Sequence, residues 1–104
     1  MPLIKDVEVG NNRLGLWQID GSESVFEERF PEVAASLSVR HPRTQIQRYA
    51  SRLLIHEMLG DLPEVWKDDH GKPHLRGFDT GISISHTEGY AAVLLGSGKL
   101  GVDV

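Results

Sequence analysis

The sequence contains no cysteine, which excludes a disulfide scaffold, a thiol nucleophile and a thiolate zinc site. It has no excess of positive charge: 11 Lys and Arg stand against 15 Asp and Glu, a net charge of −4. That balance lacks the basic footprint of a general nucleic-acid binder, yet leaves room for a local basic pocket that holds a small anion. Long hydrophobic runs are missing too. The longest, Tyr90 to Leu95, is far too short to span a bilayer. Met1-Pro2-Leu3-Ile4-Lys5-Asp6 has no apolar stretch of signal-peptide length. The expectation is a soluble, cytoplasmic domain with neither nucleic acid nor membrane as partner. At 104 residues, 39% hydrophobic and 25% charged, residues 1–104 suit one domain with a modest core.

Apolar side chains at Ile4, Val7 and Val9 form a first run, and Leu14, Leu16 and Trp17-Ile19 a second. Gly10-Asn11-Asn12 lies between them, and these residues tolerate the positive φ of tight turns, so the pattern predicts a β-hairpin. Ser22-Glu23-Ser24 reads as the start of a short helix, with a serine cap and glutamates suited to the helix dipole. Val25, Phe26, Phe30 and Val33 supply its apolar side, and Pro31 interrupts it. Pro42 stands near the start of the main helix, predicted from about Arg43 to Leu59. Ile46, Tyr49-Ala50, Leu53-Leu54 and Met58 keep its i, i+3, i+4 rhythm, Glu57 lies off the stripe, and Gly60 ends it.

Short strands follow. Val65-Trp66 and His74-Leu75 flank the turn-rich Asp68-Asp69-His70-Gly71. Ile82 to Ser85, Tyr90 to Leu95 and Leu100 to Val104 read as strands, separated by Thr87-Glu88-Gly89 and Gly96-Ser97-Gly98. The fold class is α+β, a small, largely antiparallel sheet packed against one main helix. The last strand pattern is still apolar at Val104, which reads as a chain cut inside a strand.

Three motifs fail on inspection. His56-Glu57 begins a zinc-protease pattern, but the second histidine it needs at position 60 is Gly60; the pair reads as a polar patch on the exposed side of the helix. Gly96-Ser97-Gly98-Lys99-Leu100-Gly101 matches G-x-G-x-x-G, but it leads into the strand-like Val102-Asp103-Val104 rather than the helix that holds a pyrophosphate. Ser85 and His86 are adjacent on an extended strand and point to opposite faces, so they make no nucleophile–base dyad.

A better constellation remains. Lys67, Lys72 and His86 supply cationic or proton-donating groups, and Ser83, Ser85 and Thr87 supply hydroxyls. Gly71 before Lys72-Pro73 allows close approach of backbone to a planar or anionic ligand. Asp103 is flanked by Val102 and Val104, and an unpaired carboxylate buried there costs several kcal/mol. It belongs at a strand edge, in an ion pair, or on a metal. One or two carboxylates with substrate phosphates is the usual magnesium arrangement. Each residue alone also has a structural reading: His86 a hydrogen-bonded turn residue, Lys67 and Lys72 solvated charges.

Three segments, Gly71-Lys72-Pro73-His74-Leu75, Ile82 to Ala91 and Leu100-Gly101-Val102-Asp103-Val104, together resemble the 4′-phosphopantetheinyl transferase superfamily of the two-lobed type. Ala50-Ser51-Arg52-Leu53-Leu54 also resembles that family's helix before its G-K-P segment, so the resemblance covers roughly residues 40–104. It implies one lobe, the N-terminal one, of a pseudo-two-fold fold. It also implies transfer of the phosphopantetheine arm of coenzyme A to a serine of an acyl or peptidyl carrier protein, with magnesium. Carried over residue by residue, Gly71, Lys72 and Pro73, with Lys67 just upstream, match the segment that holds adenine and its attached phosphate. Ser83, Ser85 and His86 match the strand whose histidine contacts the coenzyme A phosphates, and Asp103 matches the first magnesium carboxylate of G-[IV]-D-[IV]-E. Arg48 and Arg52 lie on the helix where such families keep basic residues, and no phosphate is assigned to them.

The glutamate of that motif would follow Val104, and the W-x-x-K-E-x-x-x-K segment with the expected base lies further on. No catalytic residue is therefore expected within these 104 residues, and the chain alone is expected to be inactive. A missing C-terminal lobe or a homodimer is expected to complete the site across an exposed apolar face. Two other readings stand beside this one: a lobe that holds coenzyme A or a nucleotide without turnover, and a structural or interaction domain.

Overall fold

Gly10 and Asn11 turn the chain tightly enough for Val9 to face Asn12, so β1 (Leu3–Val9) and β2 (Asn12–Gln18) pair antiparallel. This is the expected hairpin in the computed structural model, which describes residues 3–36, 42–78 and 80–96. The register shifts between Leu3 and Lys5, a bulge that leaves Ile4 outward on the edge strand.

A 3₁₀ turn (Ser22–Val25) then leads into α1 (Phe26–Arg29), and Pro31 opens α2 (Pro31–Ser36) as its first residue. The expected serine cap is not what holds this entry. Gly21 is the cap position, without a side-chain bond, and Asp20 Oδ1 accepts from Ser22 N at 2.9 Å and from Ser22 Oγ at 2.6 Å. Glu23 is not an exposed acid at a helix dipole either. It is fully buried, and its carboxylate accepts from Trp17 Nε1 and Gly21 N, both at 2.9 Å.

The long helix α3 (Pro42–Leu59) has the expected span, and Gly60 ends it with φ +74°. After it come β3 (Val65–Lys67), β4 (Pro73–Leu75), β5 (Gly81–Thr87) and β6 (Tyr90–Gly96). The six strands form one sheet in the order β1-β2-β6-β5-β4-β3, with every neighbouring pair antiparallel. The last predicted strand, Leu100 to Val104, lies outside the described residues.

The helix α3 packs on one face of the sheet, over β6, β2 and β5. Leu53, Leu54 and Ile55 meet Trp17, Ile82 and Val93 there to make the core. A side chain at Gly15 would collide with Leu54 and Met58, so glycine lets helix and sheet approach. His56 does not lie on the exposed side of α3. It is half-buried, its ring packs edge-on against Phe30 with centroids 5.4 Å apart, and its Nδ1 has no hydrogen-bond partner among the described residues.

Strand alternation sorts the rest. Ile82, Ile84 and His86 face α3, whereas Ser83, Ser85 and Thr87 share the other face, opposite Leu94, Ala92 and Tyr90. That second face also carries Val7, at 38% exposure, and Val9, at 56%.

Candidate functional site

Helical spacing of four places Thr44, Arg48 and Arg52 in one stripe along α3. Strand alternation brings Val65 and Lys67 of β3, Pro73 of β4, and Ile84 and His86 of β5 to face that stripe. Together with Gly71 they enclose a cavity of about 270 Å³. Among its described lining groups two are guanidinium and one is ammonium, a fourth is imidazole, and none is a carboxylate.

The electrostatics follow from that crowding. Burial, and then the neighbouring Arg48, lower the Arg52 guanidinium to about 10. His86 is also lowered, first by burial, then by Arg52, Arg48 and Lys67. Arg52 Nη1 donates to Ser51 Oγ at 3.1 Å, and Ser51 Oγ donates to the Arg48 carbonyl at 2.8 Å. Among the described residues no carboxylate pairs with Arg48, Arg52 or Lys67. Like charges held together and partly desolvated, without a counter-charge, cost free energy that a multivalent anion recovers. The arrangement is suited to phosphate oxygens.

The wall carrying Gly71 is built by Asp68. Its backbone N–H donates to the Lys72 carbonyl at 3.0 Å, and its own carbonyl accepts from Gly71 N at 2.9 Å. Its Oδ1 accepts from the N–H groups of His70 at 2.9 Å and Lys72 at 3.0 Å, an Asx-type closure of the turn. Gly71 takes φ +78°, a left-handed conformation that side-chain-bearing residues adopt only with strain. The contact of Oδ2 with His74 Nε2, and next the Lys72 N–H, lower the Asp68 carboxyl to about 2.

The structure thus brings together four of the sequence candidates: Lys67, Gly71, Pro73 and His86. Lys72 is half-buried in the same turn but does not line the cavity. Ser83 and Ser85 occupy the opposite face of the sheet. Asp103, the magnesium candidate, lies outside the described residues, as does all of the glycine-rich 96–101 motif after Gly96. Arg48 and Arg52, left unassigned by sequence, supply half of the cavity's basic groups. Their four-residue spacing was visible in the sequence, but the strands they face were not.

Asp103, the carboxylate expected to hold magnesium, lies outside the described residues. Among the described residues no three His, Asp or Glu side chains converge on a metal position. None of the described helices is long and apolar enough to cross a membrane. Compared with protein-family models and with curated proteins, the chain matches none.

Proposed function

We propose that the chain is the coenzyme A-holding lobe of a 4′-phosphopantetheinyl transferase, which moves the phosphopantetheine arm to a serine of an acyl or peptidyl carrier protein. The observation that carries this reading is the convergence of Arg48, Arg52, Lys67 and His86 on one cavity beside Gly71 and Pro73. Two of the segments that resemble the family, Gly71 to Leu75 and Ile82 to Ala91, contribute to that cavity.

In this reaction the carrier serine oxygen bonds to the β-phosphorus of coenzyme A. The bond from that phosphorus to the bridging oxygen breaks, adenosine 3′,5′-bisphosphate leaves, and the serine proton passes to a base. The residues of this chain bind and neutralise. Arg48, Arg52 and Lys67 hold phosphate oxygens and offset the negative charge that grows on the leaving phosphate. His86 donates a hydrogen bond to the same group. The base is not assigned to a described residue. A second lobe or a second copy of the chain completes the site, and the protein works in the cytoplasm.

A second reading is binding of coenzyme A or a nucleotide without turnover, since the described lining residues hold an anion but include no carboxylate. Titration with adenosine 3′,5′-bisphosphate tests what both readings share. Binding is expected to weaken about tenfold in Arg52→Ala, the worth of one charge-assisted hydrogen bond. Adenosine alone is expected not to bind. Equal affinity of wild type and Arg52→Ala removes the phosphate site. Incubation with coenzyme A and an apo carrier then separates transfer from binding alone.

A further inference from the structure

Ser51 stands on α3 between the two arginines of the cationic cavity in the sequence, and it is fully buried. Alanine would suit that position better, with higher helix propensity and no buried oxygen. The hydroxyl has to be explained by what it bonds. Ser51 Oγ donates its hydrogen to the Arg48 carbonyl at 2.8 Å and accepts from Arg52 Nη1 at 3.1 Å. The Arg48 carbonyl already receives the helical bond from the backbone N–H four residues on, so it does not need the hydroxyl. The group that does is the Arg52 guanidinium.

Arg52 has reason to leave the cavity. Arg48, Lys67 and His86 line the same space, and no carboxylate pairs with Arg52 among the described residues. Burial and Arg48 both disfavour its charge. An untethered arginine there would turn toward water, where its charge is solvated and the repulsion is screened. The bond to Ser51 fixes one end of the guanidinium fork. Because the Ser51 hydrogen is committed to the helix backbone, its oxygen is left to accept, which locks the hydroxyl in the orientation that holds Arg52.

We infer that Ser51 is a positioning residue for the cationic cavity: it holds the Arg52 guanidinium beside Arg48 and leaves the other guanidinium N–H groups for an incoming phosphate. The side chain is then ordered before the ligand arrives, so binding does not bear that entropy cost. The inference rests on the part of the proposed function that both readings share, an anion held by Arg48, Arg52 and Lys67. It does not require that the anion belong to coenzyme A.

Inorganic pyrophosphate, titrated into the 104-residue chain, is the probe. Ser51→Ala is expected to weaken its binding about fivefold, the worth of ordering one rotamer-rich side chain. The Tm of the ligand-free variant should be unchanged or raised. In an Arg52→Met background, where Arg48 and Lys67 remain, the same substitution is expected to change the affinity no further. NMR relaxation at Arg52 Nε gives a reading that needs no ligand: ordered in wild type, mobile in Ser51→Ala. Wild-type affinity in Ser51→Ala, above all with a lowered Tm, makes Ser51 a structural hydroxyl and overturns the inference. An equal loss with and without Arg52 overturns it too, as does an Arg52 side chain that stays ordered in Ser51→Ala. If pyrophosphate does not bind wild type at millimolar concentration, the anion site falls and the role of Ser51 falls with it. If pyrophosphate binding depends on Ser51 but adenosine 3′,5′-bisphosphate and coenzyme A do not bind, the role of Ser51 stands and the coenzyme A reading falls.

Discussion

Asp68 and His74 close the β3–β4 hairpin from the side away from α3: Asp68 Oδ2 lies 2.8 Å from His74 Nε2, and the imidazole stacks on Trp66 with centroids 4.5 Å apart. The other Asp68 oxygen ties down the backbone of His70 and Lys72. One carboxylate therefore joins the register of two strands to the turn that carries Gly71 into the cationic cavity. Asp68→Ala is expected to lower Tm and weaken adenosine 3′,5′-bisphosphate binding, whereas Asp68→Asn, which keeps a backbone acceptor, is expected to recover part of both. The folded-state pKa of Asp68 is depressed to about 2. Its stabilisation is then fully present above the unfolded value near 4 and is lost as pH falls from there to about 2. Wild type and Asp68→Ala should approach equal stability across that window in acid-unfolding curves.

Arg52 is held where burial and Arg48 both disfavour its charge. Arg52→Met keeps the long aliphatic stem and removes that charge. It should raise the stability of the ligand-free protein by roughly 1 kcal/mol and reduce the gain in Tm that bisphosphate gives wild type. Denaturant unfolding with and without the ligand checks both. Lower stability of the ligand-free variant would mean that Arg52 is a structural cation.

Protons and anions should be linked at His86. Its folded pKa is lowered, so the unfolded chain takes the proton more readily. Stability is therefore lost as pH falls from about 6.5 toward the depressed value. A bound anion favours the imidazolium, so the His86 pKa should rise on ligand binding, and affinity should increase as pH falls through this range. The His86 ring shifts, titrated by NMR with and without bisphosphate, give the two pKa values. His86→Gln should flatten the pH dependence except for the part that belongs to the ligand's own phosphates.

Glu23 holds the entry to α1. Its buried carboxylate accepts from Trp17 Nε1, Gly21 N and, at 3.3 Å, Asp20 N. Glu23→Ala strands these donors and should cost about 3 kcal/mol or more in thermal unfolding. Trp17 fluorescence should change with it. A loss within 0.5 kcal/mol would show that the donors find other acceptors.

The sequence by itself determined the first hairpin, the span of α3 and the strands from Val65 to Leu95. The Asn and Gly between two apolar runs were enough for the first hairpin, because turn chemistry is local. The 3.6-residue rhythm from Ile46 to Met58 was enough for α3, because one face must be buried against something. The strand alternation that separates Ser85 from His86 was legible for the same reason. Hairpin turns between consecutive strands also made an antiparallel sheet the expected one.

Only the tertiary structure decided which side chains meet. Arg48 and Arg52 read as two basic residues of one helix, with no phosphate assigned, until β3, β4 and β5 were placed opposite them. Glu23 looked like a dipole partner, because a helix-start pattern does not show that Trp17, from a neighbouring strand, aims an N–H at it. His56 looked solvent-facing, because helical spacing fixes its angle on α3 but not that Phe30 covers that angle. Local pattern depends on neighbours along the chain. Burial, and the clustering of like charges in one cavity, depend on neighbours across it, and those are set by the order in which the strands are laid down.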